Sequence, residues 1–184
     1  MIDGLTFTAS TGESAAEMQP RLEPVIAAAF AQAPYNEDRS GDSPALARFA
    51  AQTRKPGFLM ITAEADGDVV GLAFGYMLPA TTGWWRDVLE PVDAETSREN
   101  GQRTFGLFEL AVAPRWQRRG IATRLHELLL ALLEGRPEER IVLNCRPDAT
   151  AAQAAYASWG YRRVTSTVPW AGAPVYDVLV LNLR

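Results

Sequence analysis

The chain of 184 residues contains one cysteine, Cys145, and one histidine, His126. One thiol cannot close an intramolecular disulfide, and the two residues together cannot furnish the several soft ligands of a zinc site. No metal is expected, and the cysteine usage points to a reducing, cytoplasmic address. No run approaches the ~20 apolar residues that span a bilayer, and the opening Met1-Ile2-Asp3-Gly4-Leu5-Thr6 lacks the basic segment and apolar stretch of an export signal. A membrane is therefore not an expected partner. Positive charge is not in excess either: 18 Lys and Arg against 22 Asp and Glu leave a net charge of −4, which argues against nucleic acid as a partner. What is present is an ordinary globular composition, 47% apolar and 22% charged, in a chain long enough to bury a core without staples. One domain over residues 1–184 is predicted.

Apolar spacing and turn residues divide the chain as follows. Residues 5–8 are β-prone, and 15–33 have helical spacing interrupted by Pro20 and Pro24. A loop over 34–44 leads to a helix from Pro44 to about Thr53. Residues 58–63 and 69–78 form two strands around Asp66-Gly67-Asp68, a strong hairpin signal. Residues 79–102, with Trp84-Trp85 and an acidic run, show no periodicity. Strand 105–112 follows, then a break at Pro114 and a helix over 121–133 with Ile121, Leu125, Leu128, Leu129 and Leu132 on one stripe. Strand 141–145, helix 149–159 ended by Gly160, and strands 161–167 and 175–183 complete the order βααβββαβαββ. This is an α/β (α+β) pattern, a sheet with helices on its faces.

The segment from Glu109 to Leu125 runs from a buried strand through a basic, glycine-containing turn into a helix. The first amides of a helix have no intrahelical acceptor and lie at the positive end of its dipole, so such a turn holds phosphate by backbone alone. Gly120 permits close approach, Ala122 is small, and Arg115, Arg118, Arg119 and Arg124 add local positive charge. These residues point to a phosphate-bearing ligand and no further, since neither a full Gly-x-Gly-x-x-Gly nor a Gly-Lys-Ser/Thr loop is present.

Gln117-x-x-Gly120-x-Ala122 behind Leu110-x-Val112 resembles the acyl-CoA signature, Gln/Arg-x-x-Gly-x-Gly/Ala, of the GNAT superfamily of N-acetyltransferases. Tyr156-Ala157-Ser158-Trp159-Gly160-Tyr161 resembles that family's later motif, Tyr-x-x-x-Gly-Phe/Tyr, in the expected order. The resemblance covers most of the chain except 79–102. It implies a GNAT-like fold with a mixed, mostly antiparallel central sheet flanked by helices, and transfer of acetyl from acetyl-CoA to a primary amine by direct attack. The cofactor would lie against Leu110, Ala111 and Val112 as a pseudo-strand and on Gln117, Arg118, Arg119, Gly120, Ile121, Ala122 and Thr123. Where the family often has a cofactor-contacting Asn, six positions before the tyrosine, this chain has Thr150, whose hydroxyl either substitutes or caps the helix.

An alkylammonium is not a nucleophile, so a base or water relay must take its proton. Glu109, a carboxylate in an apolar strand, is the candidate, against a structural ion pair. Tyr156 is the candidate acid for the leaving thiolate, against aromatic packing, and a backbone amide near Val112 would meet the oxyanion. Trp84 and Trp85 either line a pocket for a cationic amine or anchor their loop. Cys145 reads as a small buried hydrophobe more readily than as an acyl-accepting nucleophile, and His126 as a surface or packing residue. The acidic balance favours a small-molecule amine as acceptor. A silent acyl-CoA-binding sensor, a protein-amine acetyltransferase and a mononucleotide binder remain alternatives. The chain is expected to be a monomer or a homodimer, the tail over 175–183 completing its own sheet or pairing with a second copy.

Overall fold

In the computed structural model, which describes residues 4–37 and 44–184, Asp66 and Gly67 take φ of +51° and +85°. Two positive φ values are the demand of the two-residue hairpin turn whose twist matches the strands it joins, and Asp-Gly meets it. The turn pairs β2 (Leu59–Ala65) with β3 (Asp68–Met77), Ala65 opposite Asp68. The other strands are β1 (Thr6–Ser10), β4 (Thr104–Val112), β5 (Arg140–Cys145), β6 (Arg162–Thr167) and β7 (Tyr176–Asn182). They are hydrogen-bonded in the order β1-β2-β3-β4-β5-β7-β6. The β4–β5 pairing is parallel, and β1–β2, β2–β3, β5–β7 and β6–β7 are antiparallel. The mixed, mostly antiparallel sheet expected from the sequence is thus present. The chain divides into two compact units, residues 1–76 with 107–136 and residues 77–106 with 137–184.

In the first unit the helix expected over 15–33 is two helices, α1 (Gly12–Ala16) and α2 (Gln19–Phe30). Pro20 explains the restart: it lacks an N–H and is best tolerated in a helix's first turn, where it lies. Pro24 remains inside α2. The helix expected from Pro44 is likewise two short pieces, α3 (Pro44–Ala47) and α4 (Phe49–Gln52), and residues 38–43 of the preceding loop lie outside the described residues. Leu22, Val25, Ile26, Leu46, Phe49, Met60, Leu72 and Phe74 form the core. Phe49, Phe58 and Phe74 meet with ring centroids 5.0 to 6.1 Å apart, and each fully buried ring contributes about 1.5–3 kcal/mol over exposure. The helix α6 (Ile121–Leu133) buries Ile121, Leu125, Leu129 and Leu133. A Cβ at Gly71 of β3 would stand 3.1 Å from Ile121 Cγ2 and 3.3 Å from Leu125 Cδ1, so glycine there sets how closely α6 approaches the sheet.

In the second unit β7 lies between β5 and β6, so the tail completes its own sheet. The parallel ladder between β4 and β5 runs from Thr104 opposite Arg140 to Gly106 opposite Val142. Helix α7 (Thr150–Ser158) ends at Gly160, whose φ is +91°. The segment without periodicity contains one short helix, α5 (Ala94–Ser97), and is fixed by polar contacts at two points. Glu90 accepts from the Arg163 guanidinium, the Ser166 hydroxyl at 2.9 Å and the Ser166 amide at 2.7 Å, contacts that hold its carboxyl down at about 2. At the other point Arg140 Nη2 donates to Glu99 Oε1 at 2.8 Å, with the two side chains 6% and 2% exposed. Arg140 Nε also donates to Thr104 Oγ1 at 2.8 Å and its Nη2 to the Thr96 carbonyl at 2.8 Å. Its Nε and Nη2 thus have acceptors on two side chains and a carbonyl, which offset the burial of the cation.

Candidate active site

The strand β4 ends in a tight basic turn. The Ala113 amide donates to the Val70 carbonyl at 2.9 Å, so by strand alternation the backbone groups of Leu110 and Val112 point away from β3. Gln117 Nε2 donates to that Val112 carbonyl at 3.1 Å, closing the turn onto the strand. Between them Pro114–Trp116 form one turn of 3-10 helix, with Trp116 N donating to Ala113 O at 2.8 Å. Arg118 then takes φ +61° and Gly120 φ +80°. Gly120 is the residue from which α6 starts, with no side-chain cap, and the first helical bond it receives comes from Arg124 N at 3.0 Å. The amides of Ile121, Ala122 and Thr123 precede that bond and have no acceptor within the helix.

Charge reinforces the amides. Arg115, Arg118 and Arg119 are exposed, and among the described residues no carboxylate pairs with any of them; Arg124 pairs with Glu127 at 3.2 Å. The Arg119 guanidinium lies 4.9 Å from the centroid of the Trp116 ring. Unpaired amides at a helix start, a glycine in the left-handed region and three uncompensated cations make a site for a polyphosphate, so these residues fit the pyrophosphate of coenzyme A.

Glu109 lies in β4 at 8% exposure, buried as the sequence suggested. Tyr156 is half-buried on α7, its ring edge-on to Trp159 at 5.5 Å and to Tyr161 at 5.3 Å. Thr150 opens α7 but does not cap it: the cap position is Ala149, no side chain caps the helix, and Thr150 N donates to Asp148 O at 2.9 Å.

A family model described as the acetyltransferase (GNAT) family matches residues 25–161, well over half of the chain. The chain belongs to the GNAT acetyltransferase family. It is an acetyl-CoA-dependent N-acetyltransferase, and the strand, basic turn and helix just described lie within the matched residues. Among solved structures, the ribosomal-protein-S18-alanine N-acetyltransferase of Escherichia coli is 20% identical with a TM-score of 0.66, covering 97% of this chain and 95% of that one. A GNAT acetyltransferase of Staphylococcus aureus Mu50 is 14% identical with a TM-score of 0.67, covering 97% and 100%. The PaiA N-acetyltransferase of Thermoplasma acidophilum, solved with coenzyme A, is 10% identical with a TM-score of 0.63, covering 96% and 99%. At these identities the likeness is one of fold. No curated protein matches the chain.

Five further side chains of this GNAT acetyltransferase bear on what its chemistry can use. Burial, with the nearby Asp177 and Asp148 charges, pushes the Cys145 thiol up to about 12, so it stays protonated and is a poor nucleophile. His126 is 2% exposed and burial pushes it down to about 4, which makes it a neutral packing residue of α6. Asn144 of β5 was not singled out in the sequence, yet its Oδ1 is buried and accepts no hydrogen bond among the described residues. An amide inside the apolar run Ile141-Val142-Leu143-Asn144-Cys145 was the available signal. Trp85 is engaged within its own segment: its indole N–H donates to Glu99 at 3.0 Å and its ring lies 5.2 Å from the Arg140 guanidinium. The anchoring alternative therefore describes Trp85. Trp84 is half-buried, its amide bound to Thr82 Oγ1 at 3.2 Å. Among the described residues no cluster could hold a metal ion, and no helix is long and apolar enough to cross a membrane.

Proposed function

We propose that residues 1–184 act as one cytoplasmic N-acetyltransferase domain that moves the acetyl group of acetyl-CoA to a primary amine of a small molecule. The observation that carries the cofactor side is the start of α6, where Gly120 at φ +80° leaves three amides without helical acceptors beside three arginines that have no carboxylate partner among the described residues. In this reading the amides of Ile121, Ala122 and Thr123 hold the pyrophosphate, and Gln117, Arg118, Arg119 and Gly120 shape and charge the turn. The Leu110 backbone groups and the Val112 amide, which point away from β3, are available to an extended arm, with Ala111 between them, while the Val112 carbonyl accepts from Gln117. Bound acetyl-CoA supplies an activated thioester. Glu109 takes the proton of the incoming ammonium, and the Tyr156 hydroxyl returns one to the departing sulfur. Thr150, exposed in the first turn of α7, remains a candidate cofactor contact, and Trp84 a candidate acceptor contact. The net charge of −4 favours a cationic acceptor.

A thermal-shift titration tests the cofactor. Acetyl-CoA at about 100 times Kd adds about 2.7 kcal/mol, which raises the midpoint of a chain this size by roughly 5–10 °C. Gly120→Glu should abolish the shift, and ATP should give little. CoA release is then followed with small primary amines and with peptides bearing a free N-terminus. Release with the amines, reduced in Tyr156→Phe through kcat, supports the reading. Release with peptides alone transfers the assignment to a protein acceptor, and binding without release leaves a silent acyl-CoA sensor.

A further inference from the structure

Of the three arginines at the turn that pair with no carboxylate among the described residues, Arg119 alone meets an aromatic ring among those residues. Its guanidinium is 4.9 Å from the Trp116 centroid, inside the ~6 Å over which a ring's negative face attracts a cation. Trp116 is itself fixed, because its amide donates to Ala113 O at 2.8 Å and the next amide, of Gln117, donates to Pro114 O at 3.2 Å. Gln117 is tied back in turn, its side chain donating to Val112 O at 3.1 Å. The ring therefore sits on a stretch of backbone bonded at three places. Its indole N–H is buried and finds no acceptor among the described residues, so hydrogen bonding does not account for a tryptophan at this position. A smaller apolar side chain would fill space without burying an unsatisfied donor. What the indole adds is a broad π face under a cation.

We propose that Trp116 is a positioning residue of the cofactor site, holding the Arg119 guanidinium in place so that acetyl-CoA meets a cation already ordered. A free arginine must surrender side-chain freedom when it binds phosphate, and one seated on a ring has surrendered part of it beforehand. Arg118, beside it, makes no such contact, and its contribution is charge alone. This inference rests on the reading of the turn as the acetyl-CoA cradle.

The test is a double-mutant cycle read by titration calorimetry with acetyl-CoA, using wild type, Trp116→Leu, Arg119→Gln and the double variant. Trp116→Leu should weaken binding about 3- to 5-fold in low salt, and the double variant should bind no more weakly than Arg119→Gln alone. The gap between wild type and Trp116→Leu should close as salt screens the cation, whereas damage to the turn's shape would persist. Trp116→Phe, which keeps a ring, should retain most of the affinity, and Trp116→Met takes the place of the leucine variant in the cycle if that one unfolds. Effects that simply multiply in the double variant, or a Trp116→Leu defect unchanged by salt, overturn the proposal. Absence of acetyl-CoA binding by the wild type would instead overturn the cradle itself, so the two failures are distinguishable.

Discussion

Two stretches of this acetyltransferase lack regular structure and are rich in charge, the turn from Ala113 to Gly120 and the segment over 79–102, and they use that charge in opposite ways. In the turn the charges are of one sign and none is neutralised among the described residues, while the backbone holds Arg118 and Gly120 in the left-handed region. In the segment the carboxylates are matched: Glu90 with Arg163, Glu95 with Arg98 and Arg103, Glu99 with Arg140. Charge left over on a fixed backbone is charge available to a ligand, whereas charge consumed internally holds a segment down. The acidic residues that first suggested a cationic acceptor in this segment are largely engaged in that second task.

Removing one cation from each stretch should affect stability very differently. Arg140→Met leaves the Glu99 carboxylate, 2% exposed, buried beside an apolar chain, and should cost about 3–5 kcal/mol, a midpoint loss of roughly 10 °C. Adding Glu99→Leu should recover much of it, since replacing both partners removes the unpaired charge. Arg119→Gln in the exposed turn should change stability by less than about 0.5 kcal/mol. Equal losses at the two sites, measured by thermal or denaturant unfolding, would erase the distinction.

The same contrast explains what was legible in the sequence. Asp66-Gly67 named its own turn, since both residues must adopt positive φ and only a few residue types do so cheaply. Gln117 to Ala122 announced a helix start because the glycine and the following periodic stripe are local signals, and the amides they expose follow from helix geometry. Tyr156 and Gly160 were readable for the same reason. The segment over 79–102 was not, because what holds it is long-range: Glu90 meets Ser166, and Glu99 meets Arg140. No local pattern encodes a carboxylate's distant partner. Pro20 was read as an interruption when it is the start of α2, because local chemistry shows that a helix cannot pass but not on which side it resumes. Asn144 was missed because an orphaned amide is visible only once its surroundings are built.

A second prediction separates the cradle's helix from its surface by pH. His126 lies in α6, held down at about 4 by burial while the Glu127 charge opposes the shift only partly. Its folded value is below the ordinary 6.5, so the unfolded chain binds the proton first as pH falls. The neutral imidazole's contribution is complete above about 6.5 and is lost progressively toward 4, amounting to up to about 3 kcal/mol. Denaturant unfolding of wild type and His126→Leu across this range should show the wild type's stability falling and the variant's curve flatter. Parallel curves would mean that the imidazole is solvated in the folded state. Any loss of acetyl-CoA binding beyond this loss of stability would point to another group.

The smallest expected effect is also the one that best exposes the turn's design. Arg118 holds φ +61°, a conformation that costs a non-glycine residue roughly 1–2 kcal/mol, so Arg118→Gly should relieve it. Glycine's greater freedom in the unfolded chain takes back about 0.4–1 kcal/mol, leaving a net gain near 0.5 kcal/mol and a midpoint rise of 1–2 °C, on the order of measurement error for one scan but resolvable in replicates. Affinity should move the other way, since an unpaired cation is removed from the phosphate site, and the salt dependence of acetyl-CoA binding should become shallower. A variant that is more stable yet binds less well would show strain and uncompensated charge kept together at one residue for the ligand. A variant that loses stability would mean that the Arg118 side chain supports the turn, and that its charge, like that of Arg140, is already spent within the protein.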